Sequence, residues 1–382
     1  MTKVTVLGAG NAGHAIAFDM TLNNGCEVML FEHPKFAKTL DGIKQKGGIE
    51  AVAELKTEAG SSKAAMSGFA KIAGLTTDPK EAMNFADIVM MMVPAFGQEA
   101  IFELVMPHLR DGQLFVLMPG NFGSLIFNKM MRDAKINKKV TFVEATSIPY
   151  AVRIIGPGTI YLLGVKTAVS AGALPAAEIN NVVNKLKGVL SLKIIPLANV
   201  LEAGLSNGNM IVHTPTSTLN MGLAESTGGK GQFYRDGVSP TVAKVLEAVD
   251  AERLAVGKAF GLKLMSFVEI INNFYSLNVS SIRQFVVETP YHNNVPNDFP
   301  KGPQERYITE DCPYVCVPVN ALGKLAGIEM PATEAIITID GLYNDTNYFQ
   351  TGRSMDKMGL AGMSVKDIIA YMQTGEKKSV RA

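Results

Sequence analysis

The stretch VTVLGAGNAGHAIAF, residues 4–18, decides how this chain is read. Residues 4–7 are a short apolar, strand-like run. Gly8, Gly10 and Gly13 follow in the spacing G-x-G-x-x-G, and a helical pattern runs from about residue 12 to residue 23. Strand, glycine turn and helix in that order make a cradle for a dinucleotide. The first glycine permits the tight turn, the second lets a pyrophosphate approach the backbone, and the third lets helix and strand pack closely. The helix N-terminus attracts the phosphate charge, and Asn11 and Ala12, inside the motif, are expected to contact the cofactor.

A second strand at 27–31 ends in Glu32, an acid placed to accept hydrogen bonds from the adenosine ribose hydroxyls. Its charge would repel a 2′-phosphate, so NAD is favoured. His33 and Lys35 follow at once and offset part of that repulsion, which leaves NADP open. The segment MMMVPAFGQ (90–98) ends another strand in a turn, which places Val93 and Pro94 to line the cofactor cleft. An ordinary strand with a proline turn would read the same.

Working outward, strand-like runs at 88–93, 113–117, 140–144, 153–155 and 159–165 alternate with helical patterns. Such alternation predicts an α/β chain: an N-terminal Rossmann-type doubly wound sheet over 1–199, with extra antiparallel strands near its end. Long helical patterns dominate beyond it, at 240–260, 264–278, 314–325, 333–343 and 365–374. They predict an all-α C-terminal domain over 200–382. A polar stretch at 54–67 reads as surface. TPYHNNVPNDFPKGP (289–303) reads as a loop, with a connector or a cover for the substrate cleft as its two roles.

Composition narrows the class. Of the 382 residues 47% are hydrophobic and 19% charged, enough to bury large cores. The net charge is +1 without a basic tail, which gives no electrostatic reason to expect nucleic acid. Three cysteines cannot build a disulfide framework and suit a reducing compartment. Cys312 and Cys316 lack a matching second pair, so no metal site is expected. No run reaches the roughly 20 apolar residues of a membrane span. Glycines also interrupt the N-terminal run where a secretion signal would need a continuous core, so the expected location is cytoplasmic. Twenty methionines supply adaptable apolar material, suited to core filling and to a homodimer interface.

The candidate chemistry lies in the second half. His213 stands in NGNMIVHTP (207–215), and a histidine is the usual proton carrier near neutral pH. RYITEDCPY (306–314) brings Arg306, a bidentate carboxylate binder, together with Glu310 and Asp311. If the two segments meet, one acid can orient the imidazole and stabilise its cation. A structural histidine and a solvated acidic loop are the alternatives.

The chain resembles the opine dehydrogenase family. The motifs are VLGAGNAGHAIA (6–17), EATSIPYAVRIIGPG (144–158), NGNMIVHTP, YRDGVSPTVAKVLEAVDAERLAVGKAFG (234–261), RYITEDCPY and GRSMDKMGLAGMSVKDI (352–368). They keep the family's order and span nearly the whole chain. The resemblance implies an NAD(P)H-dependent enzyme that joins the amino group of an amino acid to a small 2-oxo acid, commonly pyruvate, and reduces the imine. It implies His213 as the acid/base, Asp311 as its orienting partner and Arg306 as the holder of the amino acid's carboxylate. It gives Asn209 a part in placing substrate or cofactor. Arg153 is either a second carboxylate contact or a structural ion pair, and Cys312 stands where the family often has an aliphatic residue. Two other readings stay open: a ketopantoate- or glycerol-3-phosphate-type reductase, and a non-catalytic NAD(H)-binding redox sensor. The ketopantoate type would need a lysine that its motif context does not supply here.

Overall fold

The computed structural model describes residues 1–53, 65–289 and 298–377. Most of the polar stretch 54–67 and of the loop 289–303 falls outside them. The chain divides into two compact units: Met1–Ala203 joined by the chain from Ala370, and Gly204–Ile369.

The first unit is built on eight strands in the order β12-β11-β8-β7-β6-β1-β2-β5. They are β1 (Lys3–Leu7), β2 (Glu27–Phe31), β5 (Gly74–Thr76), β6 (Ile88–Met91), β7 (Leu114–Leu117), β8 (Thr141–Ala145), β11 (Ala168–Leu174) and β12 (Lys193–Pro196). From β5 to β8 the sheet is parallel, and β11 then pairs antiparallel with β8. Every residue of β6 and β7 is buried, as expected of strands covered on both faces. One face carries an aromatic cluster in which Phe102 and Phe127 stack at 3.9 Å and Phe115 and Phe142 meet them edge-on.

The residues expected to extend this sheet at 153–155 and 159–165 instead belong to a separate four-stranded sheet. Its order is β4-β3-β10-β9, from β3 (Ile49–Val52), β4 (Gly68–Ala70), β9 (Tyr150–Gly156) and β10 (Thr159–Val165). Ile49, Ala51, Ala70, Val152, Ile160 and Leu162 share one core with Ala15 and Ile16 of the helix Asn11–Leu22. That helix therefore has apolar cover on two sides, which explains its eight consecutive buried residues from Gly13 to Met20. Asp19 sits among them because Tyr150, Ser191 and Asn23 all donate to its carboxylate.

The second unit is helical, around the 20-residue helix Pro240–Ala259. Ser239 caps it by accepting from the Val242 amide, with Pro240 in the first turn. Arg253, fully buried, donates to Asp250 and to the carbonyls of Leu205 and Met265, which fixes the flanking segments. The end of the chain differs from the 200–382 expectation, because it returns to the first unit from Ala370. The buried Tyr371 hydroxyl accepts hydrogen bonds from Asn128 and Arg132 there.

Candidate active site

The glycine turn shows why each glycine is needed. Gly8 has φ +100°, and a side chain on it would stand 2.4 Å from Val93 Cγ1. At Gly13 a side chain would stand 1.8 Å from the Gly8 carbonyl oxygen. Both are forced by the protein itself. Gly10 is different: a side chain there would meet nothing within 4 Å. Among the described residues no contact accounts for glycine at Gly10, so the open space suits a pyrophosphate at the helix N-terminus. Asn11 and Ala12 form the first helical turn, and Asn11 Oδ1 accepts from the Ile154 amide of β9 at 2.7 Å. The four-stranded sheet is thereby tied to the rim of the cradle. Arg153, next in β9, is exposed and donates to the Val152 carbonyl beside it.

Glu32 lies at the end of β2 as expected, but it is turned inward. The residue is 7% exposed, and its carboxylate accepts from the Ala9 amide at 2.8 Å and the His33 amide at 2.7 Å. The acid thus fixes the glycine turn, and the Thr39 hydroxyl lies 3.4 Å from its Oε2. Val93, half-buried, packs on Gly8, and the exposed Pro94 precedes the helix Ala95–Val105. Both stand at the carboxyl edge of the parallel strands, where ligands of such sheets bind.

In the helical unit His213 is the joint between two short helices, Asn209–Val212 and Thr214–Leu219. Asp311 follows the helix Arg306–Thr309 and opens a single π turn, Cys312–Cys316. Thr214 Oγ1 donates to the Tyr307 carbonyl at 3.0 Å and draws the two segments together. His213 Nδ1 then lies 2.9 Å from Asp311 Oδ2, and Asn209 Nδ2 donates to Asp311 Oδ1 at 3.2 Å. Asp311 is 1% exposed, whereas the His213 side chain keeps 15% of its surface open. A carboxylate accepts only, so Nδ1 carries the hydrogen and Nε2 is the atom left to exchange a proton.

Two tyrosines that the sequence reading passed over frame this pair. Tyr307 packs on the imidazole at 4.4 Å between ring centres, and Tyr234 lies 6.3 Å away. Burial pushes the Tyr234 phenol well above its usual range, with Tyr307 and Asp311 adding to the effect. It therefore stays a neutral donor near neutral pH. An aromatic directly after Arg306 was the available signal. Arg306 meets Glu310 at 3.6 Å with 62% of its side chain exposed, and so presents its guanidinium outward. Cys312 turns away from the pair toward the buried Asp340.

A sheet with a phosphate-ready glycine turn and a helical unit carrying an oriented histidine define a nicotinamide-dependent oxidoreductase. Comparison with known proteins gives the family. The model of the NAD/NADP octopine/nopaline dehydrogenase α-helical domain matches residues 196–344. The model of the NAD-dependent glycerol-3-phosphate dehydrogenase N-terminus matches residues 3–124. An opine dehydrogenase of Arthrobacter sp. (strain 1C) is 30% identical over 364 residues, covering 95% of this chain and 96% of that one. The chain belongs to the opine dehydrogenase family, NAD(P)H-dependent oxidoreductases acting on CH–NH bonds. Its fold matches octopine dehydrogenase solved with NADH and L-arginine (TM-score 0.79, 20% identity, 99% of each chain). It also matches yersinopine dehydrogenase with NADP+ bound (TM-score 0.72, 15% identity, 98% of each chain).

Proposed function

We propose that this enzyme condenses an amino acid with a small 2-oxo acid, pyruvate first among them, and reduces the C=N bond so formed. The observation that carries this reading is the His213–Asp311–Asn209 arrangement, with Nδ1 engaged and Nε2 without a hydrogen bond among the described residues. Octopine dehydrogenase, similar in fold, has been solved both with NADH and L-arginine and with NADH and pyruvate. NADH supplies the hydride to the carbon of that bond.

The residues of the chain do the rest. His213 Nε2 takes a proton from the ammonium group of the amino acid, so that its nitrogen can attack the 2-oxo carbon. It returns a proton when water leaves, and the C=N bond is then left for reduction to a secondary amine. Asp311 stabilises the imidazolium formed between these steps, and Asn209 fixes Asp311. The exposed guanidinium of Arg306 suits a bidentate grip on the amino acid's carboxylate. Holding two small substrates together removes an entropic barrier of roughly 7–11 kcal/mol when alignment is good. NAD is the favoured cofactor because of Glu32, with NADP admitted by His33 and Lys35. A cytoplasmic setting fits the buried, unpaired thiols of Cys26, Cys312 and Cys316.

The test is His213→Ala. Turnover should fall by about 10²–10⁴-fold, the range of a general acid/base, with the Kd for NADH within twofold of wild type. Wild-type turnover in this variant would remove the assignment.

A further inference from the structure

The first unit contains a strained loop that the sequence reading did not mark. It joins β7 to the helix Gly123–Asp133 and runs from Met118 to Phe122. Asn121 (φ +54°) and Phe122 (φ +65°) are both left-handed, and neither is glycine. Two such residues in succession persist only where their surroundings over-determine them, and such strain gathers at functional sites.

The surroundings here are two fully buried polar side chains. Gln98, from the helix Ala95–Val105, donates through Nε2 to the Pro119 carbonyl at 2.8 Å. Glu144, in β8, accepts from the Phe122 amide at 2.8 Å through Oε2. Its Oε1 accepts from the Ser124 amide at 2.8 Å and from the Ser124 hydroxyl. Neighbouring glycines leave the clamps their room: a side chain on Gly120 would stand 2.3 Å from Glu144 Oε2, and one on Gly123 2.5 Å from Gln98 Oε1. The backbone bonds Gly120 to the Ala145 carbonyl and Met118 to the Met91 carbonyl complete the frame.

The position of the loop gives this effort a purpose. β1 lies between β2 and β6, and β7 follows β6. Glu32 at the end of β2 marks the adenosine side of the cradle. The other half of a dinucleotide crossing at Gly8–Gly13 must then run the opposite way, over the carboxyl ends of β6 and β7. Val93 closes the first of these ends and Pro119–Phe122 the second. Here a buried carboxylate from the next strand holds a left-handed pair in place.

We propose that Glu144, assisted by Gln98, is a positioning residue that fixes Pro119–Phe122 as the support for the nicotinamide half of the cofactor. The inference rests on cofactor binding by the first unit and is independent of which amino acid or oxo acid reacts. Its test compares NADH with ADP-ribose, which lacks the nicotinamide ring, by titration calorimetry on the full chain. Glutamine at 144 keeps the shape but can accept through one oxygen only. Glu144→Gln should raise the Kd for NADH about tenfold and leave that for ADP-ribose within twofold. Equal weakening of both ligands, or unchanged NADH binding, would overturn the proposal. Should Glu144→Gln fail to fold, Gln98→Met releases Pro119 at similar volume, and the same split between the ligands is required of it.

Discussion

At the scale of single residues, geometry assigns work that residue type alone leaves open. Glu32 shows this best. An acid after the second strand reads as a ribose acceptor, yet here it also accepts from the Ala9 amide inside the glycine turn. Glu32→Ala should therefore do two things. It should weaken NADH binding by loosening the turn, and it should narrow the preference for NADH over NADPH by removing the charge. Parallel titrations with both nucleotides check this, and an unchanged ratio would mean that the carboxylate does not face the 2′ position. His213, Asp311 and Arg306 were legible as residue types, and the motif order tied them to one chemistry. The 2.9 Å contact between His213 and Asp311 was not legible, because 98 residues separate them and only the fold closes that distance. Asn209 was legible as a motif position, whereas its bond to Asp311 follows only once the helices are placed.

Among elements, the helices divide by where their caps come from. Ser239–Pro240 and the Ser266–Glu269 capping box are local signals. The second explains why the helix expected from residue 264 begins at Phe267. The helices Gly123–Asp133 and Pro331–Tyr343 are capped by distant acids instead, Glu144 and Glu252, and no local pattern announces them. The helix Pro331–Tyr343 also carries Asp340, which makes a pH prediction. Thr218 Oγ1 lies 2.7 Å from both the Thr214 carbonyl oxygen and Asp340 Oδ1. One hydroxyl proton can serve only one of these acceptors, so the second contact calls for a proton on Asp340. Burial, among Cys312, Cys316, Tyr343 and Tyr348, agrees by pushing the carboxyl from 3.8 up to about 7. A raised folded-state pKa means that the stabilising neutral form is fully present below about pH 4 and is lost as pH rises through 7. Asp340→Asn cannot ionise. Its Tm relative to wild type should rise between pH 4 and pH 7 and level off above, and a difference flat across that range would show Asp340 charged throughout.

Over the whole molecule, the alternating strands and helices announced the parallel sheet and the later helices announced the second unit. The four-stranded sheet did not announce itself. β3 and β4 are only four and three residues long, and pairing between β3 and β10 spans more than a hundred residues. The return of the chain end to the first unit was equally hidden, because it depends on Tyr371 meeting Asn128 and Arg132. Tyr371 is 1% exposed, and Tyr371→Ala should cost about 3–5 kcal/mol. Chemical denaturation followed by circular dichroism checks that figure, and a loss below about 1 kcal/mol would show that the tail adds little to the unit. The central claim is that two substrates, an amino acid and a 2-oxo acid, are joined and reduced together. It is tested most directly by following NADH oxidation with pyruvate alone, with each of a panel of amino acids alone, and with both together. Oxidation that requires both partners, with a product carrying a new C–N bond by mass spectrometry, is the predicted result; oxidation that runs equally fast with the oxo acid alone would contradict the claim.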